Sequence, residues 1–413
     1  KLFQGDVGLV RRDDAAPDHV VGWQWQSTGW LGHLDMRARS NSGYRFNLVL
    51  RQRLKSFADS RDDLNYGLAR GSLGYNPRRG VVSGKVDFRL EQSLFEEKVA
   101  IYDSVGQGRG DYRYDSDYAA YFPDENGSFR RLHLPSGRKT PSTRLATGVR
   151  FSLNFRRSDR LRLRPFTWRF LGSSDIQSVD SRLSYLLGPS MSDGGLHRAR
   201  ISLRQDLNYS PREKRRRVRL TSKYRTEVVG KSFQESFERV SLSHTLSVEE
   251  PLSSSITGVV KVDRHDNALN SVVTSRSRNA RGWTVDGGVR WRSSKVLELG
   301  GDFRTGYDSG WNSFEDFTVF LQGVGLHALV FRKGGGRIEG SADYFRVTSS
   351  EQMFASLPPE AVRGMQVGNN LRSTLTAILS FMEGVSASAN LNYIVDQIHD
   401  GLLTVTGEIR ASF

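Results

Sequence analysis

The sequence predicts an all-β chain: a closed antiparallel transmembrane β-barrel of about 16–18 strands, with short periplasmic turns and long extracellular loops. Three observations predict it. Apolar and polar residues alternate with period two along most of the chain, and helical periodicity is nearly absent. The alternating segments run to about 10–13 residues, longer than the ~5–6 usual in soluble sheets and close to what a tilted strand needs to cross a bilayer. Short and long connections also alternate.

Composition narrows the field first. The chain has 413 residues, with 60 Lys+Arg against 45 Asp+Glu and a formal charge of +15. It contains no cysteine, which excludes disulfide scaffolds, zinc–thiolate sites and thiol nucleophiles. Its 22 Phe, 14 Tyr and 7 Trp make it too aromatic for a disordered polycation. Mean hydropathy is −0.50, and no apolar run is long enough for a spanning helix. A barrel tolerates this low average, because only alternate residues of each strand face lipid.

Residues 1–19 read as an N-terminal segment, periplasmic or the start of a fragment, and residues 20–413 as the barrel. The first two strands are expected near Val20–Gln26 and Trp30–Met36. Next, Val82, Val86, Phe88, Leu90 and Leu94 oppose Lys85, Asp87, Arg89 and Glu91. Val149, Phe151, Leu153 and Phe155 oppose Arg150, Ser152 and Asn154. Val218, Leu220, Tyr224 and Val228 oppose Arg217, Arg219, Lys223, Arg225 and Glu227. Val240, Leu242, Leu246 and Val248 oppose Arg239 and a row of Ser and Thr. Trp283, Val285, Val289 and Trp291 oppose Thr284, Asp286, Arg290 and Arg292; Leu297, Leu299, Phe303 and Tyr307 oppose Glu298, Asp302 and Arg304. The last three segments show Leu375–Ala377–Leu379, Val385 to Val395, and Leu403 to Phe413 on one face. Trp283 and Trp291 lie eight residues apart on one face, ~26 Å in a strand, which is the spacing of two interfacial girdles.

Counting back from the C-terminus, one side carries short turns: Glu383–Gly384, Lys333–Gly336, Ser293–Lys295, Glu250–Ser253, Ser210–Arg215, Arg156–Asp159 and Asn76–Gly80. The other side carries Asp396–Gly401, Ser349–Asn370, Asp308–Ser313, His265–Arg281, Gly172–Gly195 and Glu97–Pro141. The last of these, an extracellular insertion over 97–141, is long enough to fold over or into a pore.

The final strand, with Ile409 and Ala411 leading to a terminal Phe413, resembles the C-terminal β-signal of Gram-negative outer-membrane β-barrels, and the ending EIRASF resembles barrels of the Bacteroidota–Chlorobiota type. The resemblance implies a cell outer membrane location and an assembly signal at Ile409, Ala411 and Phe413. It also implies contact with the barrel assembly machinery, outer-membrane lipid and lipopolysaccharide.

Few motifs carry chemistry. The glycines at 106, 108 and 110 lack the helix that a dinucleotide site needs. Asp111, Asp115, Asp117, Asp124 and Asn126 offer oxygen ligands that calcium accepts, without EF-hand spacing, in the loop over 103–127. The same segment reads as an ordered external hairpin with Tyr118, Tyr121 and Phe122 as its core. It also reads as a contact surface for a protein or glycan partner through Tyr112, Tyr114, Tyr118 and Tyr121. The eight histidines have no metal spacing and no GxSxG elbow is present, so no catalytic residue, resident cofactor or enzymatic activity is expected. The basic run Arg212–Arg219 reads as a turn plus lumen charges; no nucleic-acid partner is expected.

Lumen charges are expected at Arg150, Arg204, Arg219, Lys223, Arg225, Arg239, Arg290, Arg292, Arg304, Arg410 and Glu408, bracing the wall as cross-strand ion pairs. Their cationic excess favours anions. The functional expectation is an outer-membrane pore or transport/secretion conduit with anion preference. The alternative is a soluble, basic all-β nucleic-acid-binding or adhesion module.

Overall fold

The computed structural model describes residues 2–18, 22–58, 64–78, 80–106, 110–115, 120–158, 160–179, 183–211, 216–230, 236–272, 276–294, 296–312, 315–331, 335–350, 357–358, 360–382, 385–396 and 401–411. They form one antiparallel sheet of 20 strands. In chain order these are β1 (Leu2–Asp18), β2 (Gly22–Arg39), β3 (Tyr44–Phe57), β4 (Leu64–Tyr75), β5 (Val82–Ser104), β6 (Gly110–Asp115) and β7 (Ala120–Gly127). Then come β8 (Phe129–Asn154), β9 (Phe166–Ser178), β10 (Leu196–Tyr209), β11 (Arg217–Val229), β12 (Phe237–Pro251), β13 (Ile256–Ser271) and β14 (Arg278–Arg292). The last six are β15 (Leu297–Trp311), β16 (Asp316–Phe331), β17 (Gly336–Ser349), β18 (Gly368–Met382), β19 (Val385–Val395) and β20 (Leu402–Ala411).

Each strand pairs with its sequence neighbours, with one excursion. β5 pairs directly with β8, and β6 and β7 form a hairpin whose first strand touches the start of β8. Setting that hairpin aside leaves a meander of eighteen strands from β1 to β20. Among the described pairings β1 has β2 alone and β20 has β19 alone.

The register sorts side chains onto two faces. Across β13–β17 one row reads Val262, Val285, Thr305, Gln322 and Arg346; the row two residues toward the C-terminal end of β20 reads Val260, Gly287, Phe303, Val324 and Tyr344. The opposite face carries Asp263, Thr284, Gly306, Leu321 and Val347 in register. The connection between β17 and β18 folds onto this second face, hereafter the inner one. Its residues Leu357, Ala361, Val362 and Met365 bury against Ala280, Phe317, Val319, Leu321, Phe345 and Val347. The outer face stays open: Trp283, Phe303, Val324 and Leu326 are 44–69% exposed. A second small core sits on the outer face, where Tyr185, Leu186 and Met191 of the β9–β10 connection cover Ile176, Ala199 and Val228.

Strands are longer than the alternation indicated, and several sequence-based boundaries move. Residues 2–18, expected to precede the sheet, form β1 in register with β2. The two strands expected at 20–36 are one, β2. Of the insertion at 97–141, the two ends continue β5 and β8, which pair as far as Ser104 and Phe129. Most of His265–Arg281 and Asp308–Ser313 is strand too. The reason is common to all of them. Beyond the apolar stretch of a strand both faces carry polar residues, so the period-two signal disappears while the backbone ladder continues.

The inner apolar patch on β16 and β17 supports the loop above it. Leu321 is fully buried there, so Leu321→Ala is expected to lower unfolding stability by about 2–5 kcal/mol through lost burial and the cavity left behind. Denaturant titration of the two chains measures it.

Candidate functional site

The inner face holds two charged regions of different character. The side on which β20 ends is the near side; the opposite side is the far side.

At the far side, the β17–β18 connection is fastened by its own polar groups. A 3-10 turn, Ala361–Gly364, contains two non-glycine residues in the left-handed region, Val362 (φ 39°) and Arg363 (φ 59°). Such backbone costs about 1–3 kcal/mol per residue and persists only where surrounding contacts hold it. Those contacts are explicit. Asp308 on β15, fully buried, accepts a hydrogen bond from the Val362 backbone N–H at 2.5 Å and lies 3.2 Å from His265 Nε2 on β13. The Arg363 guanidinium donates to Asp263 (3.0 Å), Thr284 (2.9 Å) and Asp286 (3.1 Å). Charges of alternating sign thus run Lys261–Asp263–Arg363–Asp286–Arg304 over β13, the loop, β14 and β15. Arg278 clamps Glu360 with two hydrogen bonds of 2.9 and 3.0 Å, and Arg372 donates to the Gly364 carbonyl. Gly282 is needed beside Asp308, because a Cβ there would overlap the Asp308 carboxylate and the Tyr307 carbonyl.

Toward the near side, a cavity of about 820 Å³ opens on the inner face of β9–β13. Arg156, Arg169, Arg204, Arg217, Arg219, Lys223 and Lys261 line it, against Asp206 and Glu249. Asp206 is 6% exposed and accepts from Arg204 Nε (2.9 Å), Arg219 (2.9 Å) and the Thr221 hydroxyl (2.7 Å). Among the described residues, Arg156, Arg169, Arg217 and Lys223 have no carboxylate in ion-pair reach.

The register places every expected lumen charge on the inner face: Arg150, Arg204, Arg219, Lys223, Arg225, Arg239, Arg290, Arg292, Arg304, Arg410 and Glu408. Their pairing differs from the expected cross-strand bracing. Arg204–Asp206, Arg225–Glu227, Arg304–Asp302 and Arg410–Glu408 join residues two apart on one strand. Arg219–Asp206, Arg290–Glu249 and Arg304–Asp286 are cross-strand, while Arg292–Glu298 spans the β14–β15 turn. Same-strand neighbours at two-residue spacing share a face, which makes the local pair accessible without help from the next strand.

In the β6–β7 hairpin, Tyr121 stacks on Tyr102 (centroids 3.9 Å, planes 7° apart) and Tyr114 and Phe129 pack against it at 5.0 Å each. Tyr112 is buried at 8% exposure, and its hydroxyl accepts a hydrogen bond from Arg276. The aromatic core therefore recruits Tyr102 and Phe129 from β5 and β8, and Tyr112 is engaged internally; Tyr114 is 47% exposed. Tyr118 lies outside the described residues, as do the side chains of Phe122 and of the calcium candidates Asp111, Asp115, Asp117, Asp124 and Asn126. Ile409 and Ala411 are on the outer face of β20, and Phe413 lies outside the described residues. Among the described residues, no group of three or more His, Asp or Glu side chains is arranged to hold a metal ion.

Sequence reasoning missed Arg363, Glu360, Asp308 and His265 as a unit. Partners in this unit lie 43 to 100 residues apart in the chain, which leaves no local motif, and only the unusual length of the 349–370 connection pointed there.

No protein-family model and no curated protein sequence matches the chain. Solved structures that align with the chain include outer-membrane proteins. A bacterial polysaccharide outer membrane secretin is 9% identical, with 91% of this chain and 100% of that one covered and a TM-score of 0.37. The ferric-catecholate import receptor Fiu from E. coli K12 is 9% identical over 98% of this chain and 75% of that one, TM-score 0.40. A porin variant from Rhodopseudomonas blastica is 10% identical over the full length of both chains, TM-score 0.27. Likeness at this level carries no statement about what the chain binds or moves.

The loop fastening has a pH dependence. Burial alone raises the Glu360 carboxyl, but the hydrogen bonds and charge of Arg278, with Arg239 farther off, outweigh it and hold it below its ordinary value of 4.5. A depressed folded value means the contribution is complete above pH 4.5 and is lost as pH falls through the lower folded value. Hydrogen exchange at 360–367 is therefore expected to rise on acidification, and Glu360→Gln should remove that part of the pH response. Arg363→Ala should raise exchange at all pH values.

Proposed function

We propose that the sheet closes by pairing β1 with β20 into a transmembrane barrel of a Gram-negative outer membrane. There it serves as an anion-preferring pore or transport conduit, narrowed at its far end by the β17–β18 loop. The observation that carries this reading is the outer face. Between Trp283–Tyr307–Phe320 on the far side and Trp291 on the near side, the outward residues are Val285, Gly287 and Val289 on β14. On β15 and β16 they are Gly301, Phe303, Thr305, Gln322, Val324 and Leu326. None is charged. On the flanking strands outward charges stand at the margins of this stretch: Arg264 opposite Trp283 and Arg346 in the row of Gln322 toward the far side, Glu250 in the row of Val289 toward the near side, with Arg281 and Asp266 beyond the far aromatic row. The near row continues elsewhere as Tyr44 with Tyr75 (4.6 Å) and Phe166 with Tyr209 (4.9 Å). An uncharged belt of this extent in water would be an aggregation surface; between aromatic rows it matches a bilayer core with its two interfaces.

Closure follows from the same solvent. Unpaired N–H and C=O groups have no partner in hydrocarbon. Counted along the meander, β1 and β20 are first and last of an even number, so they run antiparallel and their free edges can form one more ladder. A barrel of that size leaves a wet lumen, and the near-side cavity supplies a cationic wall that concentrates anions. A conduit is favoured over a soluble module because the charges face inward and the apolar residues outward.

Three measurements test the reading. The protein should resist carbonate extraction from membranes and migrate differently on gels before and after boiling; release by carbonate would overturn it. In planar bilayers under a KCl gradient, the reversal potential should lie toward that of chloride. Phe303→Arg, mid-belt and 54% exposed, should lower stability in lipid by about 2–4 kcal/mol, measured by urea titration of vesicle-folded protein.

A further inference from the structure

The near-side cations are not distributed as a general lining. Two of them, Arg204 and Arg219, converge on one buried carboxylate. Asp206 holds Arg204 through Nε at 2.9 Å and a terminal nitrogen at 3.2 Å, and Arg219 through a terminal nitrogen at 2.9 Å, and Thr221 completes its acceptor capacity at 2.7 Å. Carboxylate and hydroxyl are buried, whereas the two arginine side chains are 40% and 51% exposed. Asp206 therefore acts from behind, fixing two guanidinium groups side by side with their remaining N–H groups free to meet a solute. Arg169 is the ladder partner of Asp206 on β9, and Lys223 is the ladder partner of Arg204 on β11. Neither has an acidic partner among the described residues. Four cations thus surround one anion on three adjacent strands.

Like charges at this spacing repel, and fixed guanidinium groups present the forked donors that match phosphate, sulfate and carboxylate oxygens. On the far side Arg198, Arg200 and Arg225 all reach Glu227, at 2.9, 2.8 and 3.4 Å, whereas Arg169 and Lys223 reach no carboxylate among the described residues. A monovalent ion satisfies little of the excess. We infer that Arg169, Arg204, Arg219 and Lys223, organised by Asp206, form a binding site for a small multivalent oxyanion, one bearing two or more phosphate or carboxylate groups. This deepens the conduit reading and rests on it for access from the lumen.

The test uses the full chain in planar bilayers at fixed ionic strength, with tripolyphosphate and citrate as phosphate and carboxylate probes. Block by either at a concentration at least tenfold below that at which extra chloride has the same effect supports the site, and the more potent probe identifies the headgroup chemistry. Arg169→Gln breaks no hydrogen bond among the described residues and should raise the half-blocking concentration at least fivefold. Arg219→Gln should raise it further. Arg198→Gln, eight residues from Asp206 on the same face of β10, should leave it within twofold. Equal weakening by Arg198→Gln would show a diffuse lumen field and overturn the site. Titration calorimetry of the detergent-solubilised protein with tripolyphosphate separates the two readings. A conducting pore with neither block nor binding leaves the conduit and removes the site. A silent bilayer with binding that Arg169→Gln weakens removes the conduit and keeps the site.

Discussion

The backbone ladder between sequence neighbours is the constraint from which the rest of this structure follows. From β8 to β20 each strand pairs with the next, and each pair continues for ten to fifteen residues with few register shifts. Because side chains alternate strictly along a strand, one register decision per hairpin assigns every residue of both strands to a face. A slip of one residue of β15 against β14 would turn Asp302 and Arg304 outward and bring Phe303 and Tyr307 inward, against Thr284, Asp286 and Arg290. The separation of a charged inner face from an outer face that carries no charge between the aromatic rows of β14–β16 is therefore a consequence of pairing, and it also penalises any other pairing.

Charge on the inner face is handled in two ways, and the difference is instructive. On the far side Arg198, Arg200, Arg225 and Arg278 meet carboxylates, and the β17–β18 loop adds Arg363 and Glu360 as counter-charges of its own. The result is a cross-linked region that holds two left-handed non-glycine residues in place. Burying such a network stabilises the fold only while every member keeps its partner. On the near side, cations outnumber carboxylates and stay open to the cavity.

The inner apolar patch explains why the loop lies inward at all. Phe317, Val319, Leu321, Phe345 and Val347 point to the polar face and would be exposed without a cover. Leu357, Ala361, Val362 and Met365 supply it. Hydrophobic burial provides the non-directional attraction, and Asp308, Asp263 and Asp286 fix where the turn sits. The outward counterpart, the β9–β10 connection over Ile176, Ala199 and Val228, uses burial with a different loop on the opposite face.

Period-two alternation by itself determined the strand class, the two-sidedness of the sheet and the face of each strand charge, because a strand's side-chain period is set by covalent geometry. It could not determine where strands end, since β1, the ends of β5 and β8, and the far ends of β13 and β15 lie where both faces are polar and the signal vanishes. Nor could it reveal that Arg363 reaches Asp263 a hundred residues away, that Asp206 gathers Arg204 and Arg219, or that Tyr102 completes the hairpin core. Those contacts join residues whose distance along the chain is unrelated to their distance in space, and only the folded ladder, with its loop turned inward, brings them together.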